Sequence, residues 1–185
     1  MEVSTSMIPE IVIISPTVHK DERGFFLESF NERDFQALGV PERFVQDNHS
    51  LSKRSTVRGL HLQWTRPQGK LIRATRGEIL DVAVDVRLGS PTFARWVGNV
   101  LSADNFRVCY IPPGFAHGFC VLSEWAEIQY KCTDYYDPDG ELTIAWNDPE
   151  VRVDWTVTDP TLSAKDANAP TLASLTSRLP TYGGF

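Results

Sequence analysis

A chain of 185 residues with 42% hydrophobic and 23% charged side chains can bury roughly two thirds of its unfolded surface. Residues 1–185 are therefore expected to form a single domain. Its 18 basic and 24 acidic side chains leave a formal charge of −6, which argues against a nucleic-acid polymer or an anionic membrane as partner. Three cysteines, Cys109, Cys120 and Cys132, form no C-x-x-C pair, so a reducing cytoplasm is expected rather than a disulfide framework or a cysteine zinc site. The apolar run at 8–14 is interrupted by Pro9 and Glu10 and has no basic leader, so neither a signal peptide nor a membrane span is predicted.

In chain order, strands are predicted at 11–15 and 24–29. Asn31 then caps a helix over 32–38, with Phe30 and Phe35 spaced as a hydrophobic staple and Gly39 ending the turn. Strands follow at 60–64 and 70–75. The clearest period-2 pattern spans 77–88, where Leu80, Val82, Val84, Val86 and Leu88 alternate with Ile79, Asp81, Ala83, Asp85 and Arg87, predicting a strand with one apolar face. Further strands are predicted at 92–101, 106–111, 118–122, 126–133 and 142–146. A second helix over 171–179 places Leu172, Leu175 and Leu179 on one face and stops at Pro180, before a tail from Thr181 to Phe185. So many short strands with so little helix predict an all-β jelly-roll barrel, whose mouth or interior can hold a small ligand.

The glycines never fall at G-x-G-x-x-G spacing, and no P-loop, G-x-S-x-G elbow or H-E-x-x-H helix occurs. A metal-binding jelly roll needs two histidines at H-x-H spacing, but the corresponding segment is His61-Leu62-Gln63, so no metal is expected. Alternation along the strand puts Arg58, Leu60 and Leu62 on one face and Gly59, His61 and Gln63 on the other. Taken singly, His61 reads equally as a hydrogen-bonded interior histidine, and Lys70 as a snorkelling surface lysine or a pocket cation. Tyr130 and Tyr136, on one strand parity, read as core tyrosines with hydroxyls at the rim. Spacing alone does not decide.

Seven ordered segments between about residues 10 and 172 carry a resemblance. They are Lys20-Asp21-Glu22-Arg23-Gly24-Phe25-Phe26-Leu27-Glu28, Gln46-Asp47-Asn48-His49-Ser50, Val57-Arg58-Gly59-Leu60-His61, the stretch from Gly69 to Arg87, Tyr110 to Phe119, Tyr130-Lys131-Cys132-Thr133-Asp134-Tyr135-Tyr136, and Leu162 to Ala167. Together they resemble the dTDP-4-dehydrorhamnose 3,5-epimerase family. The resemblance implies a metal-free, cupin-type jelly roll that works without a cofactor as a homodimer, with N-terminal strands exchanged across the interface. It also implies a dTDP-4-keto-6-deoxysugar substrate inverted at C3 and C5.

By the same resemblance His61 is the base, Asp166 its carboxylate partner, Lys70 the cation facing the C4 oxygen and Tyr130 the proton donor. Arg23, Arg58 and Lys165 match positions that hold substrate, and Glu28, Gln46, Asp47 and Asn48 match nucleotide contacts. Tyr136 matches the aromatic that stacks on thymine, His117 a substrate contact in the second cupin-like element, and Glu141 a further binding position; Arg73 is a less direct pocket candidate. The chemistry suits these residue types. A ketone acidifies both neighbouring carbons, so one base, one cation and one acid can serve two centres. The competing readings are a single-centre 3- or 5-epimerase of a related sugar, a non-catalytic sugar-nucleotide-binding jelly roll and a metal-dependent cupin oxygenase.

Overall fold

The chain is seen in a computed structural model that describes residues 1–40 and 43–184; Phe185, the last residue of the expected tail, lies outside them. In chain order the elements are β1 (Glu2–Thr5), β2 (Val12–Ser15), β3 (Val18–Asp21), β4 (Gly24–Leu27), α1 (Glu32–Ala37), β5 (Gln46–Lys53), β6 (Val57–Gln63) and β7 (Lys70–Arg76). These are followed by β8 (Glu78–Asp85), β9 (Trp96–Ser102), β10 (Val108–Ile111), β11 (Phe115–Val121), β12 (Trp125–Cys132), β13 (Glu141–Thr143), α2 (Ala164–Ala167) and a 3₁₀ helix (Leu172–Arg178). Two antiparallel sheets face each other as a jelly roll, one in the order β1-β2-β10-β7-β12-β5 and the other β13-β6-β11-β8-β9. The β3–β4 pair stands apart as a two-stranded hairpin.

The apolar filling lies in three layers. Between the sheets, Ile13, Ile72, Ala74 and Ile128 meet Ile79, Ala83, Leu101 and Phe119. Outside the five-stranded sheet, Val57, Leu60, Leu62, Val82 and Val84 are covered by Trp155, Leu172, Leu175 and Leu179 from the C-terminal segment. Outside the six-stranded sheet, Ile14, Leu71 and Val108 pack against Phe35 of α1. That helix starts as its sequence dictates: the Asn31 side chain accepts from the Asp34 N–H at 3.4 Å, and the Phe30 ring lies 5.2 Å from Phe35.

Several expectations are revised. The strand expected over 77–88 stops at Asp85 and is buried on both faces: the C-terminal segment covers the Val82 and Val84 side, and the six-stranded sheet lies over the Ile79 and Ala83 side, so that Asp81 and Asp85 are interior. The segment over 172–178 winds as a 3₁₀ helix, although Leu172, Leu175 and Leu179 are buried together. Strand β5 had no counterpart among the expected strands, since its inward residues Gln46, Asn48, Ser50 and Ser52 are polar and hide the period-2 signal.

The alternation expected along 58–63 also fails at one point. Four residues of β6, from Arg58 to His61, span the same length as three of β11, from Phe119 to His117, so β6 carries a bulge. The extra residue reverses parity: Val57, Leu60 and Leu62 all face the outer layer, while Arg58 and His61 both face the barrel interior opposite Phe119 and His117. Gly59 makes this possible. Its φ is +125°, and a Cβ there would lie 2.6 Å from the Gly118 Cα.

Candidate active site

One wall of the interior is built on β6, β11 and β8, where His61 and His117 are direct cross-strand neighbours. Each histidine is paired to its own carboxylate. His61 Nε2 lies 2.6 Å from Asp166 Oδ1, and His117 Nε2 lies 2.6 Å from Asp81 Oδ1. Asp166 is delivered by α2, whose cap is Ser163: the Ser163 Oγ accepts from the Asp166 N–H at 3.1 Å and donates to Asp166 Oδ2 at 2.9 Å. Burial alone would raise the Asp166 carboxyl, but the His61 and Ser163 hydrogen bonds with Lys165 nearby hold it below the ordinary aspartate value. The ion that orients His61 is therefore fixed as an anion. Burial pushes His117 below the ordinary histidine value against the opposing pull of Asp81.

The other wall is built on β5, β12 and β7. Gln46, Cys132 and Lys70 form one inward row across these strands, and Asn48, Tyr130 and Ile72 the next. Among the described residues the Lys70 ammonium makes no hydrogen bond or ion pair. Burial lowers its pKa, with Cys132, Glu141 and Asp81 pulling the other way. Tyr130 is raised above the ordinary phenol, chiefly by burial and then by Cys132, so it carries its proton at neutral pH. A cavity of about 280 Å³ opens between Gln46, Asn48, Gln63, Lys70, Tyr130, Cys132, Tyr136 and Glu141.

The remaining expected residues divide. Arg58 is inward, its Nε donating to Ser52 Oγ at 3.0 Å, and so lies on the His61 side of the sheet rather than opposite it. Glu141 bridges Lys165 Nζ at 2.9 Å and the Tyr136 hydroxyl at 3.0 Å. Its carboxyl, which burial alone would raise, is held low by Lys165, Tyr136 and His61. Tyr136 itself is not on the Tyr130 strand, which ends at Cys132, but on the following loop. Asp47 faces the opposite side of the sheet from Gln46 and Asn48 and pairs with Lys131 at 2.9 Å. Arg73 is likewise outward, donating to Gln129 at 3.2 Å. Arg23, in the exposed turn between β3 and β4, and Glu28 beyond it are not among the residues lining the cavity.

Asp81, Cys132 and Ser163 belong to the site without having been singled out as site residues in the sequence. Only Ser163 carried a local signal, the Ser-x-x-Asp spacing of a helix cap. Among the described residues no group of three His, Cys, Asp or Glu side chains converges as a metal site.

The His61–Asp166 pair stands on the wall opposite the one from which the Tyr130 phenol and the unpaired Lys70 ammonium line the cavity, an arrangement that can take a proton from one side of a ring and return it on the other. Comparison with known proteins gives that arrangement a family. A sequence profile described as dTDP-4-dehydrorhamnose 3,5-epimerase matches residues 5–174. The chain belongs to the dTDP-4-dehydrorhamnose 3,5-epimerase family. It is 54% identical over 175 residues to the dTDP-4-dehydrorhamnose 3,5-epimerase of Pseudomonas aeruginosa, covering 94% of this chain and 97% of that one. The crystal structure of a dTDP-6-deoxy-D-glucose-3,5-epimerase from Legionella pneumophila Philadelphia 1, in complex with dTDP-4-keto-L-rhamnose, matches with a TM-score of 0.95 and 49% identity over 98% of each chain. A 3'-monoepimerase from Streptomyces bikiniensis, in complex with dTDP-quinovose, has the same fold at a TM-score of 0.91 and 33% identity, over 97% of this chain and 93% of its own. Family members are therefore sugar epimerases built on this jelly roll. In this chain no helix among the described residues is long and apolar enough to cross a membrane.

Proposed function

We propose that the chain inverts C3 and C5 of dTDP-4-dehydro-6-deoxy-glucose, giving the rhamnose-configured 4-ketosugar on the route to dTDP-L-rhamnose. The reaction would take place in the cytoplasm, where the buried free thiols of Cys109, Cys120 and Cys132 stay reduced. The observation that carries this reading is the opposition of the His61–Asp166 pair on one wall to Tyr130 and the unpaired Lys70 on the other.

With Asp166 ionised, His61 keeps its proton on Nε2 and offers the Nδ1 lone pair. That nitrogen takes the C–H proton beside the ketone, and the electron pair moves onto the C4 oxygen. Lys70 stabilises the enolate, because its ammonium attracts the developing charge more strongly than the neutral carbonyl. Tyr130 gives its proton to the opposite face as the enolate collapses to the ketone. Solvent then takes the proton from the imidazolium and restores the phenol, and the second centre follows the same course.

The nucleotide half occupies the rim. Arg58 and Lys165 meet the diphosphate, Gln46 and Asn48 approach the nucleoside, and Tyr136 lies against the base, whereas Asp47 faces away and is left out of this set. Arg23 and Glu28 reach a site only from a second copy, through the hairpin whose Phe25 and Phe26 are 62% and 71% exposed. The active form is accordingly a homodimer with exchanged N-terminal strands.

Incubation with dTDP-4-dehydro-6-deoxy-glucose in deuterated water, followed by NMR, tests the reading. Deuterium is expected at both C3 and C5. Label at one carbon alone would make this a single-centre epimerase, and no label would leave only a binding protein.

A further inference from the structure

Gln63 follows His61 on the inward face of β6 and is only 6% exposed. Its amide is fully engaged, and every partner is backbone. Nε2 donates to the carbonyls of Arg66 at 2.9 Å and Tyr135 at 3.2 Å, and Oε1 accepts from the Asp137 N–H at 2.7 Å. Two carbonyls and one N–H settle which end of the amide is nitrogen. These bonds join the two segments that rim the cavity, residues 64–69 and 133–140. The same segments are also joined by the exposed links of Arg66 to Asp134 and of Thr65 to Asp137, and at the two ends of the loop by the Gln68 amide donating to the Asp134 carbonyl at 2.7 Å and the Trp64 N–H donating to the Gly140 carbonyl at 3.0 Å. Between those ends Gln63 is the buried side chain that holds the backbone of residues 135 and 137. Tyr136 stands between the two loop positions that Gln63 grips. Its own N–H is held by Gln46 Oε1 at 2.9 Å.

We infer that Gln63 is a positioning residue for nucleotide binding, docking residues 133–140 so that the Tyr136 ring is in place before the ligand arrives. The inference rests on the reading of Tyr136 as the aromatic against the base. Without the clamp, the loop must be ordered at the expense of binding, while His61, Lys70 and Tyr130 stay where the sheets hold them. Binding weakens and turnover is spared.

Two variants test this: Gln63→Met, similar in volume and without hydrogen bonds to offer, and Gln63→Glu, which can still accept from Asp137 but loses both donors. For each, dTDP affinity is measured by calorimetry and KM and kcat by turnover. Both are expected to raise the dTDP Kd and KM roughly tenfold with kcat within about twofold. Tyr136→Ala should weaken dTDP comparably in the wild-type background and add little to Gln63→Met. A fall in kcat with unchanged dTDP affinity, or fully additive losses in the double variant, overturns the inference. If Tyr136→Ala leaves wild-type dTDP affinity untouched, it is the reading of Tyr136 that fails. The clamp is then judged by amide exchange at Asp137, expected to be slow in the wild type and fast in Gln63→Met. Free exchange at Asp137 in the wild type overturns it even if neither variant folds.

Discussion

The unpaired ammonium of Lys70 gives the site its most testable residue. Burial lowers Lys70 and raises Tyr130, so it brings to lower pH the loss of the ammonium, and with it the ability to hold an enolate, while it defers the loss of the phenol's proton. The alkaline limb of kcat/KM is accordingly expected to belong to Lys70, and in Lys70→Arg it should move to higher pH even where the rate is lower; a pH–rate series on both proteins checks this. Tyr130→Phe keeps the ring and removes the proton, so kcat should fall by about 10²–10⁴ while KM changes little in steady-state assays. His61, Lys70, Tyr130 and Asp166 were nameable from sequence because they sit in recognisable strings. Asp81 was not, because inside an alternating strand an acidic residue looks like the solvent face. Only the six-stranded sheet, packed over Ile79 and Ala83 of that face, makes it interior.

At the scale of the element, the bulge in β6 decides which side chains meet. Regular alternation would send Arg58 outward from the wall that carries His61; one additional residue turns both inward. Gly59→Ala combines a backbone at φ +125° with a contact of 2.6 Å, and is expected to destabilise the protein by about 2–4 kcal/mol and to cut activity beyond its effect on folding. Gly24→Ala provides the control. Its φ of +129° is similar but nothing lies within 4 Å, so a loss of about 1 kcal/mol is expected, both values read from denaturant unfolding. Bulges leave no mark in a single sequence beyond a glycine, and this glycine reads as well as a plain strand residue. The polar β5 was illegible for the converse reason: site residues replaced the apolar half of its pattern. Where a strand keeps an apolar residue at most positions of one face, as β8 and β12 do, its position was read closely.

On the scale of the whole molecule, one end of the barrel is closed by Asp85, which is fully buried and accepts from Arg87, Ser90 and Thr92, while the Arg87 guanidinium lies 4.3 Å from the Phe115 ring centroid and 4.9 Å from that of Tyr182 in the tail. Burial alone would raise Asp85, but these donors together hold its carboxyl low. Its contribution to stability is thus complete above the ordinary aspartate range, begins to be lost below pH about 4, and is gone once pH has fallen through the lowered value of the folded state. Asp85→Ala strands most of a buried guanidinium and should lower stability by about 3 kcal/mol in denaturant unfolding at neutral pH. The proposed exchanged-arm dimer makes a separate prediction. Arg23→Ala and His61→Asn proteins, each impaired alone, should recover roughly a quarter of wild-type activity when unfolded and refolded together, since statistical pairing restores one intact site per mixed dimer.

His61 and Tyr130, the proposed proton acceptor and donor, stand on different sheets, and what keeps those sheets apart is the hydrocarbon of Ile72, Ile128 and Phe119. The gap that a sugar ring must bridge is thus gauged by side chains that never meet it. Trimming one of them changes the spacing of the jaws without altering any reacting group.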